Sequence, residues 1–367
     1  MASTPASWIE LQASAFRHNV LALKKKAGSA KLMPIVKANA YGHGLSQVAV
    51  LAKKWPIWGL GVAHGSEALQ LRKAGYRGRV LVLSAWDSKE LLTLAKMGIE
   101  VVVNDFTTLN QVISFGRRAG SRLIRIHIKL DSGTSRLGFL PSDLRRVKKL
   151  LNDLPRTIIV ESLWSHLSSS EDQASHVTED QLVQFLTMTK ALPPTRYRHI
   201  ACTAALIRFP DTRLSLSRAG IGIYGIWPSP PTRQAAKGVT LKPVLRWYTT
   251  VRQVKNLPKG AYIGYSRTAR LKRAGRIAIL PIGYADGYDR RLSNRGQVWI
   301  AGHQYPVIGR VSMNLTMVDI SGSRIAVGEP VELIGPHVTA DRMATIIGTI
   351  PYEVLARLSP AIPRYTV

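Results

Sequence analysis

Residues 32–63 read LMPIVKANAYGHGLSQVAVLAKKWPIWGLGVA. An apolar run (32–38) is followed by a glycine-bearing turn, then LSQVAVLAKKW with apolar residues at three-to-four spacing, then a second apolar run, WGLGVA (58–63). That order predicts strand, helix, strand. The unit recurs along the chain, with strand-like runs VLVLSA (80–85), EVVVND (100–105), LIRIHIKLD (123–131), ESLWSHLS (161–168), YRHIACT (197–203) and LSRAGIGIYG (216–225), eight runs in all. Eight strand–helix alternations predict an α/β fold, a parallel (β/α)8 TIM barrel. After WPSPPTRQAAKG (227–238) the texture changes to short strand-like runs with turn signals, such as GRIAILPIGYADG and GQVWIAGHQYPVIGR. These predict a C-terminal mostly-β domain. The expected division is 1–232 for the barrel and 233–367 for the β domain, with a helix over MATIIGTIPYEVLARL closing the chain. The start, SWIELQASAFRHNVLALKKKAG, reads as a strand entering a helix and is open to packing with either domain.

Composition narrows the function classes. With 367 residues, 46% of them hydrophobic, the chain can bury a large core. Its single cysteine, Cys202, forms no internal disulfide, and MASTPASWIELQASAF lacks the charged and apolar regions of a signal peptide, so a cytoplasmic location is expected. No apolar run approaches the roughly 20 residues of a membrane span. Lys and Arg number 51 against 22 Asp and Glu, a net charge of +29, yet the basic residues are scattered through every segment. Scatter of this kind predicts no specific nucleic-acid partner. No His, Cys, Asp or Glu cluster has metal-ligand spacing, so no metal is expected.

The unusual polar residues fall where a barrel does its chemistry, at the C-terminal ends of strands. Lys37 ends the first run, Lys129 and Asp131 the fifth with Arg136 beyond, and His166 the sixth; His199 and Thr203 belong to the seventh and Arg218 to the eighth. A lysine among apolar neighbours has its ammonium form disfavoured by desolvation, and the neutral amine is the nucleophile that joins an aldehyde. Pyridoxal 5′-phosphate is the natural aldehyde cofactor. Its phosphate needs backbone N–H donors, and ACTAA (201–205) and AGIG (219–222) stand at strands seven and eight, where barrels commonly bind phosphate.

VKANAYGHG (36–44) resembles the cofactor-lysine signature of alanine racemases, which are pyridoxal phosphate-dependent enzymes of fold type III. The resemblance continues through IKLDSGTSRLGF (128–139), WSHLS (164–168), HIACTAA (199–205), SRAGIGIYG (217–225), GYSRTAR (264–270), GYADGYDRRLSN (283–294), GRVSMNLTMVD (309–319) and YEVLARL (352–358). It implies an isomerase that interconverts L- and D-alanine and supplies D-alanine for peptidoglycan. It further implies that Lys37 carries the cofactor and is the base on one face of the substrate, with Tyr265, from the β domain of a partner subunit, the base on the other. A homodimer with shared sites follows from that pairing. By the same resemblance His166 stacks on the cofactor ring, and Arg218, supported by His199, meets the pyridine nitrogen as a guanidinium that releases no proton. Arg136 touches the cofactor phenolate and the substrate carboxylate, which the Met313 backbone helps to hold. Tyr41, Thr203, Gly220, Ile221 and Tyr352 ring the phosphate, while Tyr352 and the partner subunit's Tyr284 narrow the entrance. Lys129 matches a lysine often carbamylated in the family.

The chain departs from the family pattern in places. Cys202-Thr203 stand where many relatives have Asn-Ser, Ser312 and Asn314 flank Met313 where Cys and Asp are common, and Thr134-Ser135 replace Met-Gly before Arg136. These departures bear on substrate breadth, so a serine or broad-specificity racemase is the alternative. A decarboxylase on the same scaffold usually presents a different acid group at the position of Tyr265.

Overall fold

The computed structural model describes residues 5–118, 123–172 and 176–367. These divide into two compact units, the described residues of 15–38 with 48–242, and residues 5–14 with 39–47 and 243–367. The expected break at 232/233 falls inside the short helix Pro230–Gln234, and the observed one follows at 242/243.

In the first unit the eight expected strands are present: Lys31–Pro34, Leu60–His64, Val80–Ala85, Ile99–Val103, Ile124–Lys129, Ile158–Trp164, Tyr197–His199 and Leu216–Ala219. The second to seventh form one six-stranded parallel sheet in sequence order. The first pairs in parallel with the eighth, from Lys31 opposite Leu216 to Pro34 opposite Ala219. Backbone hydrogen bonds bridge both seams. Trp58 donates to the Leu32 carbonyl at 2.8 Å and Val36 to that of Gly61 at 2.8 Å, while Arg218 donates to Ala201 at 3.2 Å and Ser215 to Arg198 at 3.3 Å. The ring of strands therefore closes. Helices cover the outside of parallel strands, so both faces are dry and the strands read as nearly unbroken apolar runs; Ile99–Val103 is buried at every position. The first strand is shorter than its sequence suggests, and Lys37 stands beyond its end at Pro34, at the start of the turn that follows.

The second unit is built on a six-stranded sheet ordered His303–Pro306, Gln297–Ile300, Pro330–Ile334, Leu245–Thr250, Ser7–Leu11 and Arg364–Thr366. Ser7–Leu11 alternates, burying Ile9 and Leu11 completely, and pairs antiparallel with Leu245–Thr250 and parallel with Arg364–Thr366. A three-stranded sheet, Gln253–Leu257, Gly275–Leu280 and Thr316–Asp319, lies in the same unit. The single closing helix expected over 343–358 is two helices, Ala340–Ile347 and Pro351–Ala356. Gly348 ends the former in the left-handed region at φ 71°, and Pro351 opens the latter, where its missing N–H costs nothing. The chain then ends in the strand Arg364–Thr366, not in a helix.

Candidate active site

Lys37 opens a turn in which Ala38, Asn39, Ala40 and Tyr41 all have φ between 52° and 55°. A left-handed turn of non-glycine residues costs roughly 1–2 kcal/mol per residue. Contacts within each unit hold it in place. On the barrel side, Glu67 accepts the Ala38 N–H at 2.6 Å and the Ala63 N–H at 2.8 Å. In the other unit Gly42 (φ 78°) lies so close to Leu355 that a Cβ would sit 1.9 Å from its carbonyl oxygen, and the Gly42 carbonyl accepts two N–H groups of Arg364 at 3.0 and 2.9 Å.

Burial of the Lys37 amine, then the Arg136 charge, lower its pKa against the pull of Glu67. Lys129, the last residue of the fifth strand, is buried with its Nζ 4.7 Å from the Trp164 ring centre. Burial, followed by the charges of Arg136 and Arg218, lowers its ammonium to about 8, with Asp131 opposing. Asp131 is engaged elsewhere, accepting the backbone N–H groups of Gly133 and Thr134 at 2.9 Å and of Ser135 and Arg136 at 3.1 Å. Burial works against its charge, but those donors prevail and its pKa is lowered.

Arg218, buried in the eighth strand, donates to His199 Nδ1 at 2.6 Å and to the carbonyls of Ser165 and Ile200 at 2.8 and 2.9 Å, and reaches His166 Nδ1 at 3.3 Å. Burial lowers its guanidinium to about 10, which leaves it a cation at neutral pH. Burial and then the Arg218 charge lower both His166 and His199 well below the usual imidazole range. Both histidines are therefore neutral. Thr203 Oγ1 accepts the Gly220 N–H at 3.0 Å, joining the turns after strands seven and eight, and Ile221 is buried beside it in the sequence. Cys202 meets Ser170 Oγ at 3.1 Å.

The structure thus brings Lys37, Lys129, Arg136, His166, His199, Thr203 and Arg218 to one rim through neighbouring strand ends and shared charge effects. Its chemistry fits a phosphorylated aldehyde. Burial and the Arg136 charge disfavour the charged form of the Lys37 amine, the surrounding charges are positive, and both nearby carboxylates, Glu67 and Asp131, are taken up by backbone N–H groups. Sequence reasoning had missed Glu67, whose signal is an acid close after the end of a barrel strand.

The remaining expected residues belong to the β unit. Tyr265 is 69% exposed, on a tight turn between Tyr262–Ile263 and Ala269–Arg270 in which Ser266 and Arg267 have φ 59° and 50°. Gly264, at φ 70°, opens that turn; a Cβ there would lie 2.7 Å from Met317 Cε. Tyr284 and Met313 are also exposed, and their loops are laced by Tyr284 N–H to Ser312 and Ala285 N–H to Met313, at 3.1 and 3.0 Å. Gly283 permits that approach, since a Cβ would be 2.3 Å from both carbonyl oxygens. The rings of Tyr41 and Tyr352 lie 6.2 Å apart.

Two family models match the chain, the N-terminal domain of alanine racemase over residues 11–228 and the C-terminal domain of alanine racemase over residues 244–366. Alanine racemase 1 of Clostridium acetobutylicum is 34% identical, over 97% of this chain and 94% of its own length. The crystal structure of the alanine racemase of Bacillus anthracis with bound L-Ala-P superposes with a TM-score of 0.92 at 29% identity, covering 100% of this chain and 96% of that one. That of Bartonella henselae, with covalently bound pyridoxal phosphate, gives 0.89 at 27% identity over 99% and 100%.

Proposed function

The chain belongs to the alanine racemase family, and on that premise we propose which of its residues carry the reaction. The enzyme is a pyridoxal phosphate-dependent racemase that interconverts L- and D-alanine. When bound, the cofactor supplies an aldehyde that joins amines and a ring that withdraws electrons from the substrate α-carbon.

Lys37 holds the cofactor and moves the α-proton on one face; its lowered pKa supports that role, because only the uncharged amine accepts a proton. The partner subunit's Tyr265 serves the opposite face. Racemisation requires both, since a proton taken from one side must be replaced from the other. Tyr41, Thr203, Gly220, Ile221 and Tyr352 hold the phosphate. His166 would lie against the ring, and Arg218, with His199 behind it, would face the pyridine nitrogen, where a fixed cation would limit electron withdrawal and suppress transamination. Arg136 binds the substrate carboxylate with help from the Met313 backbone, and Tyr352 with the partner subunit's Tyr284 borders the entrance. Lys129 is a candidate for carbamylation: with its amine near pKa 8, a fraction is uncharged at neutral pH and free to add carbon dioxide.

A homodimer is supported by the apolar and aromatic groups that the β unit leaves in solvent, Tyr262, Tyr265, Tyr284, Met313 and Leu315. Among the described residues no helix is long and apolar enough to cross a membrane. We place the enzyme in the cytoplasm, supplying D-alanine to cell-wall peptides.

The observation that carries the reading is the depressed amine of Lys37 beside Arg136 at the rim that also holds Arg218. Borohydride reduction of the purified protein, followed by peptide mapping, tests it. A pyridoxyl group on Lys37 is expected, and one on any other lysine overturns the assignment. Chiral chromatography with alanine, serine and lysine checks the substrate; a faster rate on serine would replace alanine.

A further inference from the structure

Behind Arg218 a line of hydrogen bonds runs through the barrel interior. His199 Nε2 lies 3.0 Å from Ser162 Oγ, Ser162 Oγ 2.6 Å from His127 Nδ1, and His127 Nε2 2.7 Å from Glu100 Oε2. Glu100 in turn accepts from Arg79 Nε at 2.7 Å and Nη2 at 2.9 Å. His199, Ser162 and His127 are fully buried, and Glu100 is nearly so. The four come from the seventh, sixth, fifth and fourth strands, so one inward side chain from each links neighbours around the ring.

With both imidazoles neutral, the two ends settle where every hydrogen lies. A guanidinium only donates, and an ionised carboxylate only accepts. Arg218 therefore requires a lone pair on His199 Nδ1, which leaves the His199 hydrogen on Nε2, pointing at Ser162. The serine hydroxyl must then donate onward to His127 Nδ1, and His127 must donate from Nε2 to Glu100. Reversing any one bond sets two donors or two acceptors face to face in a dry interior, at the full cost of an unmade buried bond. Trp164 stacks flat on His199 (5.4 Å, 6°) and Trp58 meets His127 edge-on at 5.9 Å, so neither ring can turn to escape.

We propose that Ser162, His127 and Glu100 are positioning residues for this racemase, a one-way relay that keeps a lone pair of His199 aimed at Arg218 and so fixes the guanidinium. The inference rests on Arg218 facing the cofactor. Arg79 belongs to it as the anchor of Glu100, and also pairs with Glu161 at 3.0 Å.

Nitrogen-15 NMR of histidine-labelled, full-length protein loaded with pyridoxal phosphate reads the hydrogen positions independently of turnover. In the wild type His199 is expected with its hydrogen on Nε2. Ser162→Ala should shift both His199 nitrogen resonances, and Ser162→Thr, which restores a hydroxyl, should return them. Glu100→Gln should move the His199 signals when Ser162 is present and leave them unmoved in the Ser162→Ala background. Glu100→Gln alone supplies the reading if the alanine variant does not fold. Loosening the His199 bond to the Arg218 guanidinium should also raise the fraction of turnovers ending in transamination by about tenfold in Ser162→Ala. A wild-type hydrogen on His199 Nδ1, or His199 signals indifferent to Ser162 and Glu100, overturns the relay. Should the histidines respond as described while Arg218→Gln leaves cofactor absorbance and transamination unchanged, the relay stands and the placement of Arg218 at the cofactor falls.

Discussion

The carboxylate of Asp131 accepts the backbone N–H of Arg136 at 3.1 Å, and no carboxylate among the described residues pairs with the Arg136 guanidinium. The acid shapes the loop and leaves the neighbouring cation's charge to act on Lys37 and Lys129. Asp131→Ala removes the acceptor of four N–H groups and should cost about 1–3 kcal/mol in denaturant melts, with a rise in KM for alanine exceeding the loss in kcat. Because the folded-state pKa of Asp131 is lowered, its contribution is full above the unfolded value and disappears as pH falls through the lower folded value. The wild-type advantage over Asp131→Asn should therefore shrink in melts taken progressively below pH ~4.

Lys37→Ala should remove both the visible cofactor absorbance and racemisation. Tyr265→Phe should retain the absorbance and slow exchange chiefly in one stereochemical direction, measured as separate L-to-D and D-to-L rates with solvent deuterium effects. Equal losses in both directions, without isotope asymmetry, would count against two bases on opposite faces.

Burial depresses the amine of Lys129 from 10.5 to about 8. A lowered lysine binds protons more weakly folded than unfolded, so stability should rise with pH between about 8 and 10.5 and be flat below that window. Lys129→Met should flatten the rise in carbon dioxide-free buffer. Adding bicarbonate should stabilise and activate the wild type and leave the methionine variant unaffected.

The turn after Lys37 sets stability against function. Ala38→Gly relieves one left-handed residue and should raise stability by up to ~1 kcal/mol, while loosening the lysine and lowering kcat. Gly42→Ala meets the Leu355 carbonyl and should destabilise by at least ~3 kcal/mol or prevent folding. Thermal melts and steady-state rates on the same preparations distinguish the two.

The barrel was legible because each parallel strand is an apolar run bounded by turn residues, and the rim because Lys37, Lys129, His166 and Arg218 interrupt or end those runs. The left-handed turn at 38–41 was not legible, since no glycine announces it; it is imposed by the Glu67, Gly42 and Arg364 contacts. His127, Ser162 and Glu100 stand on three different strands with no pattern that links them in the sequence, and only the closed ring of strands places them in line. The final strand was hidden because Arg364–Thr366 is too short to show alternation and is held by pairing with Ser7–Leu11 from the far end of the chain.

That last pairing has a consequence for biogenesis. Ser7–Leu11 leaves the ribosome early, yet both of its sheet neighbours, Leu245–Thr250 and Arg364–Thr366, are made much later. The barrel strands are complete by Ala219, so they can collapse during translation while the first strand waits with both edges bare. A nascent chain stalled short of its final residues would expose that edge to other polypeptides, and chaperone capture should be greatest at that stage of synthesis.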